Sequence, residues 1–134
     1  MEFERTLGII KPEIKKKNLH FYALNDINQY FNVISMQMVQ LDQQFLEIFY
    51  EEHKHKGFFQ ELVDYMTRTP VIVFVLEGEE IIQQYRDLIG ATNPINALPY
   101  TLRYKYGKSI GENSFHGSDS IVSAEREIKL FFGE

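Results

Sequence analysis

The run Val71–Leu76, which reads VIVFVL, decides the fold class of this chain because every one of its residues is apolar. A short, uninterrupted apolar run predicts a strand that is buried on both faces of a sheet. Two further strands are predicted before it, at Thr6–Ile10 and at Asn32–Val39, where apolar and polar residues alternate. The sequence therefore predicts a sheet with a fully covered central strand.

Helical patterns separate these strands along the chain. They cover Leu24–Tyr30, Asp42–His53, Phe58–Met66, which ends before Pro70, and Glu79–Ile89, which Gly90 stops. Asp42 is a suitable N-cap, since its carboxylate can accept a backbone N–H of the first turn. Strands that alternate with helices in this way predict an α+β sandwich of layers.

Length and composition fit one soluble domain over residues 1–134. The chain is 44% hydrophobic, which is enough at this length to bury a sizeable core. No apolar run approaches the roughly 20 residues that a membrane-spanning helix needs. Met1–Arg5 has no secretory pattern, and the chain contains no cysteine, which is compatible with a reducing compartment. We therefore expect a cytoplasmic protein without a membrane partner.

The octet Asn113–Ser120, which reads NSFHGSDS, places His116 among small polar residues just before a helical pattern that runs to Phe132. Ser120 or Asp119 is the expected N-cap of that helix. Backbone N–H groups at a helix start favour anions such as phosphate, and a neutral imidazole is a good nucleophile. Taken alone, however, one histidine before a helix is more often structural.

Three other segments accompany the octet, namely Arg5–Glu13 (RTLGIIKPE), Gly90–Pro94 (GATNP) and Thr101–Arg103 (TLR). In this order they resemble the nucleoside diphosphate kinase family, whose members carry I-K-P-D, G-x-T-N-P, T-I-R and N-x-x-H-G-S-D-S. The resemblance runs from Arg5 to Phe132. It implies a ferredoxin-like α/β sandwich, with a four-stranded antiparallel sheet flanked by helices, and assembly as a homo-oligomer, either a hexamer or a tetramer.

The resemblance also implies ping-pong phosphoryl transfer from a nucleoside triphosphate to a nucleoside diphosphate. His116 matches the residue that is phosphorylated, and Ser118 and Glu127 match the pair that orients it. Lys11 completes the catalytic set. Phosphoryl transfer depends on neutralising the charge of the phosphate oxygens, so fixed cations are expected around the histidine.

Nucleotide binding is implied for a second set of residues. Those that match the family's contacts with phosphates and sugar are Lys11, Tyr50, Arg86, Thr92, Arg103 and Asn113. Phe58 matches the phenylalanine that stacks on the base, with Leu62 or Val63 as the opposing apolar contact, and Phe59 is expected in the core. Stacking accepts every base, so broad base tolerance is expected.

Magnesium is implied by the substrate, because Mg²⁺ usually binds through nucleotide phosphates with one or two protein oxygens. Asp119 is the candidate carboxylate, with helix capping as its competing role. His20, His53 and His55 are expected to be surface histidines. The run Lys15–Lys17 is expected to be a solvated turn, since the net charge of −5 disfavours a nucleic-acid site.

Several positions depart from the family pattern: Glu13 replaces an aspartate, Lys56 an arginine, and Lys105 an aspartate. Tyr100 and Tyr104 stand where glycines commonly flank the arginine, and tyrosine adopts positive φ far less readily than glycine. A rebuilt loop around Arg103 is therefore an expectation. Two alternatives to an active kinase follow: a nucleotide-binding regulatory homologue with weak turnover, and a sheet-based RNA-binding module, which the acidic charge disfavours.

Overall fold

The computed structural model describes residues 3–12, 20–106 and 115–133. Within these residues, four strands form one antiparallel sheet in the order β2-β3-β1-β4. The strands are β1 Phe3–Ile10, β2 Asn32–Val39, β3 Val71–Glu79 and β4 Phe115–Gly117. The helices are α1 His20–Tyr30, α2 Gln43–Phe49, α3 Phe59–Met66, α4 Ile81–Ile89, α5 Leu102–Tyr106 and α6 Ile121–Phe132. The predicted α+β sandwich is confirmed.

Strand β3 is buried on both faces, as its apolar run predicts. Val71, Val73 and Val75 belong to a core layer that also contains side chains of α2, α3 and α6. Ile72, Phe74 and Leu76 belong to the other layer, with side chains of α1, α4 and α5. Because successive residues of a strand point to opposite faces, one strand supplies the centre of both layers.

Most predicted elements are found, with shifted ends. Strand β1 begins at Phe3, before the predicted Thr6, and β3 continues to Glu79, so α4 begins only at Ile81. The predicted helix Asp42–His53 is two elements, α2 and a 3₁₀ turn at Glu51–His53. The predicted cap is confirmed, since the Asp42 carboxylate accepts the Phe45 N–H at 2.8 Å. Helix α4 ends at Gly90, which has a φ of 91°.

Two facing glycines bring β4 close against the rest of the sheet. Gly8 of β1 pairs with Gly117 of β4, and the Tyr85 ring of α4 packs over both. A Cβ atom at Gly8 would lie 2.3 Å from the Phe74 ring, and one at Gly117 would lie 2.9 Å from Ile89 Cδ1. A side chain at either position would therefore force its neighbours to move, and at Gly8 that neighbour is the fully buried Phe74 ring.

The tri-lysine run and Glu13 lie outside the described residues, as does Asn113. In the part of the chain that the structure describes, no helix is both long enough and apolar enough to span a membrane.

Candidate active site

His116 is the middle residue of β4, so the sheet itself sets the direction of its side chain. Phe115 points into the core layer of α4 and α5. His116 pairs with Ile9 and therefore points to the other face, where its ring contacts Phe49 edge-to-face at a centroid distance of 5.3 Å. Its side chain is 18% exposed. The ring is thus positioned by a strand, and not by a turn at the start of the following helix.

A carboxylate of α6 holds one nitrogen of this ring. His116 Nε2 lies 2.9 Å from Glu127 Oε1, and the Ser118 hydroxyl donates to the same oxygen at 2.7 Å. Ser118 Oγ in turn accepts the N–H of Leu7 at 3.2 Å. A carboxylate accepts hydrogen bonds, so this contact favours the tautomer with its proton on Nε2 and leaves Nδ1 with its lone pair.

An open cleft of about 1180 Å³ adjoins the His116 ring. It is lined by ten of the residues that the sequence singles out, namely Lys11, Tyr50, Phe58, Leu62, Arg86, Thr92, Arg103, His116, Asp119 and Glu127. Ser118 is fully buried beside Glu127. Val63 lies in the core, so of the two apolar candidates only Leu62 reaches the cleft.

The three predicted cations of the cleft, Lys11, Arg86 and Arg103, differ in exposure, and Arg68 is a fourth cation in its lining. Lys11, at the end of β1, is only 7% exposed, whereas Arg86 lies on the exposed side of α4 with its Nη1 3.4 Å from the Gly117 carbonyl oxygen. Arg103 donates to the carbonyl oxygens of Gly90 at 2.9 Å and Phe115 at 3.0 Å. Burial lowers the pKa of Arg103 to about 10, so it remains charged at neutral pH.

The tyrosines near Arg103 do not displace it from the cleft. Residues Leu102–Tyr106 form α5, and among the described residues the one non-glycine position with positive φ is Glu80. Tyr100 and Tyr104 therefore have ordinary negative φ, and the expected rebuilding of this loop relative to the family stays a prediction. Tyr106 donates to Asp26 of α1 at 3.0 Å, and Lys105 Nζ lies 3.7 Å from the same carboxylate oxygen.

The aromatic residues at the mouth of the cleft divide as predicted. Phe58 is 50% exposed, whereas Phe59 is buried in the core. The Lys56 ammonium lies 5.9 Å from the centre of the Phe58 ring. His53 lies 5.8 Å from that ring and lines the cleft, so its interpretation as a plain surface histidine is wrong. His20 is half-buried, and His55 is exposed as expected.

Asp119 and Ser120 have separate roles at the start of α6. Ser120 is the N-cap, since its hydroxyl accepts the Ser123 N–H at 3.1 Å. Asp119 lines the cleft, and a hydrogen bond with Ser123 is the main cause that lowers its pKa, with Ser120 and Arg86 adding to the effect. Its carboxylate is therefore charged and faces the cleft. No group of three or more metal-ligating side chains occurs among the described residues.

A sequence model of the family described as nucleoside diphosphate kinase matches residues 4–134. The chain belongs to the nucleoside diphosphate kinase family. It is therefore an enzyme, a phosphotransferase that moves the γ-phosphate of a nucleoside triphosphate onto a nucleoside diphosphate.

Three solved nucleoside diphosphate kinase structures are similar to the chain along almost its whole length. The enzyme of Aquifex aeolicus is 36% identical, with a TM-score of 0.91, over 98% of this chain and 96% of that one. The apo enzyme of Encephalitozoon cuniculi is 35% identical, with a TM-score of 0.93, over 98% and 90%. The halophilic enzyme of Halobacterium salinarum, in complex with CDP, is 34% identical, with a TM-score of 0.94, over 99% and 90%.

The sequence did not indicate several residues of α3 and its C-terminal end that line the cleft of this kinase. Glu61, Tyr65 and Arg68 line the cleft together with Phe58 and Leu62. Glu61, Leu62 and Tyr65 lie at the spacing of one face of α3, so the helical period could have indicated Glu61 and Tyr65 once Leu62 was placed, whereas Arg68 lies just beyond the end of the helix. The Arg68 guanidinium lies 5.4 Å from the centre of the Tyr65 ring.

Proposed function

We propose that this kinase works by a ping-pong mechanism in which His116 carries the phosphoryl group between two nucleotides. The observation that carries the proposal is the contact of His116 Nε2 with Glu127 at 2.9 Å. It occupies one ring nitrogen, so Nδ1 is the nitrogen with a lone pair for attack. The ring lines an open cleft, which gives an incoming anion access to it.

In the first half-reaction, Nδ1 attacks the γ-phosphorus of a nucleoside triphosphate. A P–N bond forms while the bond from phosphorus to the bridging oxygen of the β-phosphate breaks, and the diphosphate leaves with that electron pair. The ring then has a phosphoryl group on Nδ1 and a proton on Nε2, and Glu127 stabilises the resulting positive charge. A second diphosphate reverses these steps.

The proposed phosphate contacts are the cations of the cleft, Lys11, Arg86 and Arg103. Each would offset part of the charge on the phosphate oxygens without changing its own protonation state. The guanidinium of Arg103 already donates to two carbonyl oxygens, and its buried Nε has no hydrogen-bond partner among the described residues. Asn113, which lies outside the described residues, keeps its proposed role from the family resemblance alone.

Polar and apolar residues would complete the nucleotide site. Burial, followed by the negative charge of Glu127, raises the pKa of Tyr50, so its hydroxyl stays protonated and can donate to the nucleotide. Thr92 supplies another hydroxyl to the cleft. We propose that the base stacks on the half-exposed Phe58 ring and contacts Leu62. The CDP bound by the Halobacterium salinarum relative is consistent with such a site.

Nucleotide kinases of this kind use a divalent metal, and we propose Mg²⁺. The charged Asp119 carboxylate lines the cleft and fits a metal held mainly by phosphates, because such a metal needs only one or two protein oxygens. When bound with the nucleotide, Mg²⁺ would neutralise part of the phosphate charge. Asp119 would then orient the metal–nucleotide pair through that one contact.

We also propose that residues 1–134 form a single kinase domain that assembles into a hexamer or tetramer in the cytoplasm. Support for assembly comes from the edge strand β2, where Met36 and Met38 are 57% and 55% exposed. Exposed apolar residues on a sheet edge are usually covered in the functional state. Light scattering of the purified protein would test the assembly, and a monomer at working concentration would contradict it.

Incubation with a γ-labelled nucleoside triphosphate and Mg²⁺ tests the phosphohistidine. We expect label on the protein that is acid-labile, base-stable and discharged by an unrelated nucleoside diphosphate, and we expect His116→Ala to remove it completely. Label that is retained in the presence of diphosphate would favour the regulatory homologue. Transfer that continues in the His116→Ala variant would overturn the proposed mechanism.

A further inference from the structure

We propose that Arg126 is a positioning residue that holds the end of α2 against the His116 ring; this inference rests on the proposed role of His116. Arg126 lies on α6, directly before Glu127. Its Nη1 donates to the Phe49 carbonyl oxygen at 3.4 Å, and its Nη2 donates to the Ile48 carbonyl oxygen and to that of Phe49. One guanidinium therefore contacts the last two residues of α2.

The end of a helix is where such a cation is most effective. The final carbonyl groups of an α-helix have no partner inside the helix, and they carry the negative end of the helix dipole. In α2 the Tyr50 N–H still bonds to the Leu46 carbonyl, after which the chain turns into a 3₁₀ segment at Glu51–His53. Arg126 supplies donors and positive charge to the carbonyls that follow Leu46.

The side chain that Arg126 secures is the packing partner of the reactive ring. Phe49 is only 5% exposed, and its ring contacts His116 at 5.3 Å and Tyr50 at 4.8 Å, both edge-to-face. A single hydrogen bond to Glu127 fixes the position of Nε2 but still allows the imidazole to tilt about that contact. The Phe49 ring restricts this tilt, so the direction of Nδ1 depends on both neighbours.

Helix α6 thus orients His116 through two adjacent residues. Glu127 bonds to the ring directly, and Arg126 acts through Phe49, which belongs to another helix. Small misplacement of a reacting atom lowers the rate of chemistry more than it lowers substrate affinity. The cations of the cleft lie on other elements, so nucleotide binding should depend little on Arg126.

The test measures single-turnover phosphorylation of the full-length protein by a nucleoside triphosphate with Mg²⁺, together with KM in steady state. For Arg126→Ala we expect the phosphorylation rate to fall about tenfold while KM changes less than about threefold. Arg126→Lys should recover much of the rate, because an ammonium can still donate to one carbonyl. Lys129→Ala removes an exposed cation from the same helix and is expected to keep the normal rate.

A double-mutant cycle with Phe49→Leu separates positioning from general stability. If Arg126 acts through Phe49, the Arg126→Ala change should have little further effect on the rate of the Phe49→Leu variant. An Arg126→Ala enzyme with the normal rate, or fully additive effects of the two changes, would overturn the inference. His116→Ala, measured in parallel, separates the two proposals. Label on the His116→Ala protein would refute the phosphohistidine. If that variant carries no label and Arg126→Ala phosphorylates at the normal rate, only the role of Arg126 is refuted.

Discussion

In the region that carries His116, the reactive ring is held by side chains from its own neighbourhood in sequence. His116 and Ser118 contact the same carboxylate oxygen of Glu127, which lies 11 and 9 residues further along the chain. In the region that carries Arg103, the guanidinium donates to main-chain carbonyl oxygens. The helix of Arg103, α5, is joined to α1 by a hydrogen bond from Tyr106 to Asp26, which lies 80 residues earlier in the sequence. Residues close in sequence therefore supply the contact to the ring nitrogen of His116, whereas contacts distant in sequence hold Arg103 and its helix.

This difference separates two demands of phosphoryl transfer. The nucleophile must keep one orientation, so its contacts are short and its surroundings are largely buried. The proposed phosphate-binding cations must remain available to a ligand, and they line an open cleft. Substitutions in the first region should therefore lower the rate of phosphorylation, whereas substitutions in the second region should affect nucleotide binding as well.

The largest expected effect in the second region comes from Arg103→Ala. We predict that the rate of phosphate transfer to His116 falls at least about tenfold, as for cations that stabilise a transferring phosphoryl group. Quenched-flow measurement with labelled triphosphate gives this rate directly. Because Arg103 also donates to the carbonyl oxygen of Phe115, a thermal melt of the variant should accompany it. A rate within about twofold of normal would mean that Arg103 serves only the protein's own carbonyls.

A smaller effect is expected from Asp26→Ala, which removes the hydrogen bond and the ion pair between α1 and α5. The carboxylate accepts from Tyr106 and lies near Lys105, but it does not line the cleft. We predict that KM for the nucleotide rises roughly threefold, in line with the loss of one hydrogen bond of about 1 kcal/mol.

Tyr106→Phe is the matched control for that change, because it removes one hydroxyl and keeps the ring that packs on Phe115 at 6.0 Å. Tyr106→Phe should also raise KM, but by a smaller factor than Asp26→Ala does. If Asp26→Ala instead lowered the rate of phosphorylation at saturating nucleotide, the two regions would be coupled, and the separation of orientation from binding would not hold.

The two regions also differ in how much of them the sequence predicts. The family resemblance implies the roles of His116, Ser118 and Glu127, and the sequence itself predicts the helix that carries Glu127 from its apolar spacing. Their contact in the structure is the expected one, and their roles stay proposals. The apolar run of β3 likewise predicts the centre of the fold, since continuous burial has few other causes.

What the sequence does not reveal depends on tertiary contacts. Strand β4 has only three residues, too few for any periodic signal, and it exists because Gly8 and Gly117 allow close packing under Tyr85. From the sequence alone, Arg126 is one more exposed cation on a helix, because the carbonyl groups that it contacts lie 77 and 78 residues away in the chain. His53 lies beside Phe58 because a 3₁₀ turn follows α2. The sequence pattern over Asp42–His53 predicts one continuous helix and does not indicate this turn.

The most direct test of the account is to identify the nitrogen of His116 that carries the phosphoryl group. Protein with ¹⁵N-labelled histidine, phosphorylated by a nucleoside triphosphate and observed at alkaline pH by ¹H–¹⁵N correlation and ³¹P NMR, distinguishes the two ring positions. Because Glu127 occupies Nε2 at 2.9 Å, the account predicts phosphate on Nδ1. Phosphate on Nε2, or on a residue other than His116, would contradict it.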